Sequence, residues 1–177
     1  MNDESPLASN PLITAAALQG LHEQAFSWAM SQCHRRRSEA EDVLQQTYEQ
    51  ILSGRARFAG SSQLRTWLFA VIARTARGRR RTARLRELLL QRWWPSGADA
   101  GEAAAMPADA GAAARVRRAL LALPQRQRDV LELVFYRDMS IEQAAEVMGI
   151  GLGSARTHYQ RGKQALARVL ADAGVPA

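Results

Sequence analysis

The chain has 177 residues, which suits one ordinary domain or two small ones and excludes a large multidomain enzyme. Hydrophobic residues make up 47% and charged residues 23%, a balance that supports a folded core and argues against wholesale disorder. The 24 Lys and Arg residues outnumber the 17 Asp and Glu residues, so the net charge is +7 and the pI is near 10.8. This excess of positive charge favours a polyanionic partner such as nucleic acid.

Cysteine usage and hydropathy exclude several further classes. The single cysteine, Cys33, cannot form an intramolecular disulfide, and residues 1–6 lack the basic start of a signal peptide, so we expect a cytoplasmic protein. No apolar run approaches the roughly 18 residues of a membrane span. We find no phosphate-binding glycine loop and no acid pair beside a nucleophile. The sequence therefore predicts no catalytic residues, no metal site and no cofactor.

Residues 95–114 separate two blocks of different composition. This segment contains no basic and no aromatic residue, and its Pro and Gly residues recur too often for a helix. We interpret it as a flexible linker, although its alanines would also suit a helical extension. The predicted organisation is a disordered tail at 1–11, a first domain at 12–94 and a second domain at 115–173.

The first block shows the apolar spacing of helices, and no stretch alternates as a strand would. We predict one helix over 12–32, a second that begins with a capping box of Ser38 and Glu41 and ends at Gly54, and a third from Leu64. The second helix has a polar, mostly acidic outer face, which is either solvated surface or a docking surface for a basic protein. This acidic face consists of Glu41, Asp42, Gln45, Gln46 and Glu49.

The third predicted helix is strongly basic. No Asp or Glu occurs from Gln50 to Arg86, whereas arginines are frequent there, and such a run of like charges predicts an anionic partner. Aromatic side chains beside a basic groove can stack on unpaired bases. An apolar stripe at helical spacing consists of Leu64, Trp67, Leu68, Val71 and Ile72. Trp67 lies in this stripe, which favours a core position for it; for Phe69, off the stripe, core and surface are equally open. The arginine stripe that would track a phosphate backbone consists of Arg74, Arg77, Arg81 and Arg84.

The second block has the pattern of a helix-turn-helix. After a helix that carries Val130 and Phe135, Ser140 and Gln143 form a capping box for a short helix that Gly149 ends. We predict that Ser154 caps the next helix, whose early exposed residues would contact base edges and phosphates in the major groove. These residues are Ser154, Arg156, Thr157, Gln160, Arg161 and Lys163. A plain helical hairpin with a solvated basic face is the alternative.

In this order and spacing, the motifs resemble those of the extracytoplasmic-function sigma factors of bacterial RNA polymerase. The likeness departs from the family pattern at Gln46 in place of Glu, Thr75 in place of Asn, and Arg79 in place of an acidic residue, with Gly78 inside the helix. The matching stretches are Ala40-Glu-Asp-Val-Leu-Gln-Gln-Thr-Tyr48, Phe58 with Gly60, Trp67-Leu68, Ile72-Ala-Arg-Thr75, Leu123-Pro-Gln-Arg-Gln-Arg-Asp-Val130, Ser140-Ile-Glu-Gln-Ala-Ala145 and Gly153-Ser-Ala-Arg-Thr-His158.

The resemblance implies an all-α protein of two small helical domains joined by the linker, the second a helix-turn-helix. It implies binding to core RNA polymerase and promoter-specific initiation, with the acidic face docked on the polymerase clamp and residues 154–163 reading the minus-thirty-five element. An anti-sigma protein is a further candidate partner, and no membrane insertion is expected. By the same resemblance, the residues that capture the melted minus-ten strand would be Phe58, Ser61, Arg65, Phe69, Arg74, Arg77, Arg81 and Arg84.

Two other function classes stay open at this point. A stand-alone helix-turn-helix regulator would use the second block alone and leave the basic, aromatic first block without a defined role. An arginine-rich RNA-binding protein would need only residues 74–86 and would leave the helix-turn-helix unexplained.

Overall fold

The computed structural model describes residues 13–93 and 119–172, and both ranges are mostly helical. The chain divides into two compact units, the first ending at Ser96 and the second beginning at Gly97. Within the described ranges there is no β-strand, which confirms the prediction of an all-α, two-domain protein. The predicted tail at 1–11 and the predicted linker at 95–114 lie outside the described residues.

The first unit places its helices around an aromatic centre. The ring of Trp28 stacks on that of Phe69 with centroids 5.9 Å apart, and the Trp28 Nε1 donates a hydrogen bond of 3.1 Å to the Phe69 carbonyl. Both side chains are fully buried, so the prediction that Phe69 contacts DNA is wrong. An aromatic pair in such a core contributes through its large apolar area as well as through ring geometry. The helices are α1 (Ala15–Gly20), α2 (His22–Gln32), α3 (Arg37–Leu52) and α4 (Leu64–Trp93).

Two details at the helix ends differ from the sequence prediction. The single helix predicted over 12–32 is interrupted at Leu21, whose amide donates to the Leu18 carbonyl and closes α1 with a tight turn. Helix α3 begins at Arg37, ahead of Ser38, so the Ser38 capping box is absent. The chain enters α3 through a turn in which Arg35 has a φ of 62°, and this turn sets the first helical residue.

The second unit is a helix-turn-helix preceded by an irregular helical segment. Residues 119–122 are helical, and Pro124 precedes the next helix. The predicted α-helix through Phe135 becomes π-helical at Glu132–Tyr136, and Phe135 is exposed. Arg137 donates to the Glu132 carboxylate over 2.7 Å in a largely buried ion pair, which joins residues five apart as the wider π turn does. The remaining helices are α5 (Gln125–Leu131), α6 (Ile141–Met148) and α7 (Leu152–Asp172).

Gly162 allows a close crossing of α5 and α7. A Cβ atom at this position would lie 3.0 Å from Leu131 Cδ1 and 3.3 Å from the Gln127 carbonyl oxygen. We expect Gly162→Ala to lower the free energy of unfolding by about 1 kcal/mol, because overpacking a core costs about 1–3 kcal/mol and the better helix propensity of Ala recovers about 1. Urea unfolding followed by circular dichroism measures this difference.

The matched control for Gly162→Ala is Gly153→Ala on the same helix. A Cβ atom at Gly153 meets nothing within 4 Å, so this variant should be at least as stable as the wild type. Equal stabilities of the Gly162→Ala and Gly153→Ala variants would contradict the close-crossing argument.

Candidate functional site

The acidic face lies on the side of α3 that points away from the core. Glu41, Asp42, Gln45 and Glu49 are exposed, whereas Ala40, Val43, Leu44, Thr47 and Ile51 on the opposite side are buried against α2 and α4. Gln46 is half-buried, and its Oε1 atom is enclosed. The exposed part of the acidic face is therefore narrower than the sequence predicts.

Polar groups within the first unit engage the carboxylates of the acidic face. Arg37 Nε lies 2.8 Å from Glu41 Oε1, and Gln45 Nε2 donates over 3.0 Å to Glu49 Oε1. In a third pair, Arg79 Nη2 on α4 lies 2.6 Å from Asp42 Oδ2. None of these three pairs was predicted from the sequence. Only the first two follow a helical spacing that a sequence can show.

The arginines of α4 differ in exposure and in their partners. Arg74, Arg81 and Arg84 are exposed and Arg77 is half-buried, so the predicted arginine stripe is largely on the surface. Arg80 instead donates to the backbone carbonyl of Gln32 at the end of α2, which fixes α4 against that helix. Helix-terminal carbonyls lack intrahelical partners, and a guanidinium is a natural donor to them.

The loop between α3 and α4 is held by an aromatic contact. The ring centroids of Phe58 and Trp67 are 5.3 Å apart at an angle of 49°, and both side chains are half-buried, so Trp67 is less deeply placed than predicted. Ser61 is exposed and Arg65 is half-buried. Apart from Phe69, the residues predicted to capture the minus-ten strand are thus exposed or half-buried, on this loop or on α4.

Two departures from the family pattern, Thr75 and Gly78, have different surroundings. Thr75 is buried at 8% exposure, and its Oγ1 accepts a hydrogen bond of 3.2 Å from Gln50 Nε2, so this side chain joins α3 to α4. Gly78 lies within α4, which continues unbroken through it. A Cβ atom at this position would meet nothing within 4 Å, so no close packing requires a glycine there.

The turn of the helix-turn-helix matches the sequence prediction at its first helix. Ser140 Oγ accepts from the Gln143 amide over 3.2 Å, and Gln143 Oε1 accepts from the Ser140 amide over 2.9 Å, which confirms the capping box. Gly149 ends α6 with a φ of 63°, a conformation that glycine adopts without strain. Ser154 does not cap α7, because that helix begins at Leu152, where Gly151 accepts from the Ala155 amide.

Helix α7 presents the predicted reading residues on its outer side. Ala155 and Gly162 are buried on the opposite side. Arg156 Nη2 lies 3.5 Å from Glu142 Oε1 on α6, and hydrogen bonds from the backbone amide of Glu142 and from the Ser140 hydroxyl lower the pKa of that carboxyl below its usual value. The exposed residues are Ser154, Arg156, Thr157, Gln160, Arg161 and Lys163.

Other site classes receive no support from the residues described. Within 13–93 and 119–172 no group of three His, Cys, Asp or Glu side chains is placed to hold a metal ion. Cys33 is buried, and burial raises the pKa of its thiol. None of the helices in these ranges is long and apolar enough to cross a membrane.

Comparisons with known proteins agree with this arrangement. Residues 18–86 match the family described as Sigma-70 region 2, and residues 113–166 match Sigma-70 region 4. The ECF RNA polymerase sigma factor EcfG of Rhodopseudomonas palustris (strain TIE-1) is 30% identical over 136 residues, which cover 74% of this chain and 71% of that protein. The chain belongs to the extracytoplasmic-function sigma factors. Because region 2 matches the first block, a stand-alone regulator that uses only the second block loses its support.

Two solved structures share the fold. The sigma factor RpoE in complex with the anti-sigma factor NepR from Bartonella quintana has a TM-score of 0.64 and 23% identity, covering 88% of this sigma factor and 94% of that chain. CnrH in complex with the cytosolic domain of CnrY has a TM-score of 0.58 and 22% identity, covering 90% of each chain.

Proposed function

We propose that this sigma factor docks on core RNA polymerase through the acidic face and selects promoters through two separate basic surfaces. The observation that carries the proposal is that the acidic face and the arginine stripe lie on two different helices, α3 and α4, of one packed domain. An acidic surface repels DNA, so it suits a basic protein partner, while the arginines suit phosphates.

The loop between α3 and α4, together with the arginine side of α4, captures the melted minus-ten strand. Phe58 is the aromatic residue of this group that keeps exposed ring surface, since Phe69 is in the core. Stacking of an unpaired base on an aromatic ring contributes about 1–3 kcal/mol, and the neighbouring arginines neutralise the phosphates. The proposed set is Phe58, Ser61, Arg65, Arg74, Arg77, Arg81 and Arg84.

Helix α7 reads the minus-thirty-five element. The exposed arginine, glutamine and hydroxyl side chains near its start are the types that hydrogen-bond to base edges in the major groove. The capping box of α6 and the left-handed Gly149 fix the turn that presents this helix. Ser154 and Thr157 serve as short hydrogen-bonding groups, and Lys163 reaches a phosphate one turn further along α7.

An anti-sigma protein is a further proposed partner. Two structures of similar fold were solved with a bound partner, one of them the anti-sigma factor NepR and the other the cytosolic domain of CnrY. A protein that occupies the acidic face would block access of core polymerase to it. Competition between such a protein and core polymerase for the wild-type chain tests this proposal.

Run-off transcription tests the proposed function as a whole. Core RNA polymerase is incubated with the purified chain and a promoter library, and the transcripts are sequenced. We expect the chain to form a complex with core enzyme and to start transcripts from a subset of promoters that share two sequence elements. A chain that binds promoter DNA but neither binds core enzyme nor starts transcripts would instead support a stand-alone regulator.

Phe58→Ala should weaken binding of the reconstituted holoenzyme to a single-stranded minus-ten oligonucleotide by about 1–3 kcal/mol, because one stacking ring is lost. Fluorescence anisotropy with a labelled oligonucleotide measures the effect. The matched control is Phe58→Tyr, which keeps the ring and its contact with Trp67 and should bind as the wild type does. Equal affinities of the Ala and Tyr variants would rule out base stacking at this position.

A further inference from the structure

The acidic face is largely neutralised by its own domain. Glu41 and Asp42 are both exposed, yet each carboxylate already has an arginine within ion-pair distance, and Glu49 accepts from Gln45. The two arginines offset two of the three negative charges that the acidic face presents. Arg37 and Arg79 would therefore compete with the cationic groups of a basic partner for the carboxylates of Glu41 and Asp42.

The two arginines differ in the helix that carries them and in their exposure. Arg37 is on α3 itself, four residues before Glu41, and its side chain is 76% exposed. Arg79 reaches across from α4, its side chain is 41% exposed, and its contact with Asp42 is the shorter one at 2.6 Å. The neighbouring Arg80 is fixed to the end of α2, which holds this part of α4 against the helix bundle. Arg79 is therefore the better positioned competitor.

We infer that Arg79 limits the affinity of this sigma factor for core RNA polymerase by occupying Asp42, an inference that rests on the docking role proposed for the acidic face. A basic side chain of the polymerase that approaches Asp42 must displace Arg79 or share the carboxylate with it. In either case, the ion pair between Arg79 and Asp42 exists before docking, so the new contact of Asp42 with the polymerase contributes less to the binding free energy. Arg79 thus acts on affinity through the carboxylate with which it is paired.

Removing this competitor should tighten binding. Arg79→Gln should lower the Kd for core polymerase by about 1.4- to 5-fold, which corresponds to the about 0.2–1 kcal/mol that an exposed ion pair contributes. The full-length chain, labelled with a fluorophore, is titrated with core enzyme at one fixed low ionic strength, because salt screens exposed charges. The control variant Arg86→Gln removes an exposed charge from the same helix, and its Kd should change by less than that of Arg79→Gln.

A double-mutant cycle with Asp42→Asn assigns the effect to the pair. Asp42→Asn alone should weaken binding, and in the Asp42→Asn background Arg79→Gln should change the Kd by no more than Arg86→Gln does. If Asp42→Asn weakens binding but Arg79→Gln leaves it unchanged or also weakens it, competition by Arg79 is overturned while the docking role survives. If Asp42→Asn has no effect, Asp42 does not dock and the inference fails together with that part of the proposed function. Thermal unfolding of each variant verifies that it is folded.

Discussion

Replacement of Glu41 and Asp42 together by lysine should abolish binding to core RNA polymerase and leave the protein folded. The double variant reverses two charges on the acidic face and places lysines beside Arg37 and Arg79, so the surface offered to a basic partner becomes strongly repulsive. Both carboxylates are more than half exposed, at 53% and 56%, and exposed ion pairs contribute at most about 1 kcal/mol each to stability. The apolar side of α3 is unchanged.

Binding is measured by titration of core enzyme, and folding by circular dichroism and thermal unfolding. The matched control is Glu23→Lys with Glu39→Lys, which reverses the same number of charges in the same unit at positions outside the acidic face. This control should retain most of its affinity. A folded Glu41→Lys, Asp42→Lys variant with wild-type affinity would remove the acidic face from the docking proposal.

Arg156→Ala and Arg161→Ala should each weaken minus-thirty-five recognition by about 1–3 kcal/mol where the side chain reads a base edge, and should relax the preference at one promoter position. Both side chains are exposed on α7, and Arg156 has only a 3.5 Å contact with Glu142 to give up on binding DNA. The folded state should hardly change, since this exposed contact contributes little.

Affinities of the holoenzyme for promoters varied one base pair at a time distinguish two modes of contact. A residue that reads a base loses discrimination at one position, whereas a residue that contacts phosphate weakens all sequences equally and lowers the salt dependence of binding. Arg168→Ala, further along α7 and also exposed, is the control and should leave the preference unchanged. Unaltered binding by both Arg156→Ala and Arg161→Ala would show that α7 does not read the promoter.

Local sequence patterns correctly predicted the structural features that depend on residues close together along the chain. The capping box of Ser140 and Gln143 and the end of α6 at Gly149 depend on residues within one helical turn, and both are present as predicted. The apolar stripes of α3 and α4 likewise follow from helical spacing, and most of their members are buried. The exceptions are helix starts, as at Ser38 and Ser154, where the direction of the incoming chain selects among adjacent candidate caps.

By itself, the sequence determined the all-α class, the two blocks and the side of each functional helix that faces outward, because these depend on spacing and charge along single helices. Only the tertiary structure decided which aromatic ring is available to DNA and which carboxylates are already paired. Phe69 is buried because it meets Trp28, 41 residues away, and Asp42 is paired because α4 brings Arg79 to it across 37 residues. Contacts at such separations depend on how helices pack, which helical periodicity does not specify.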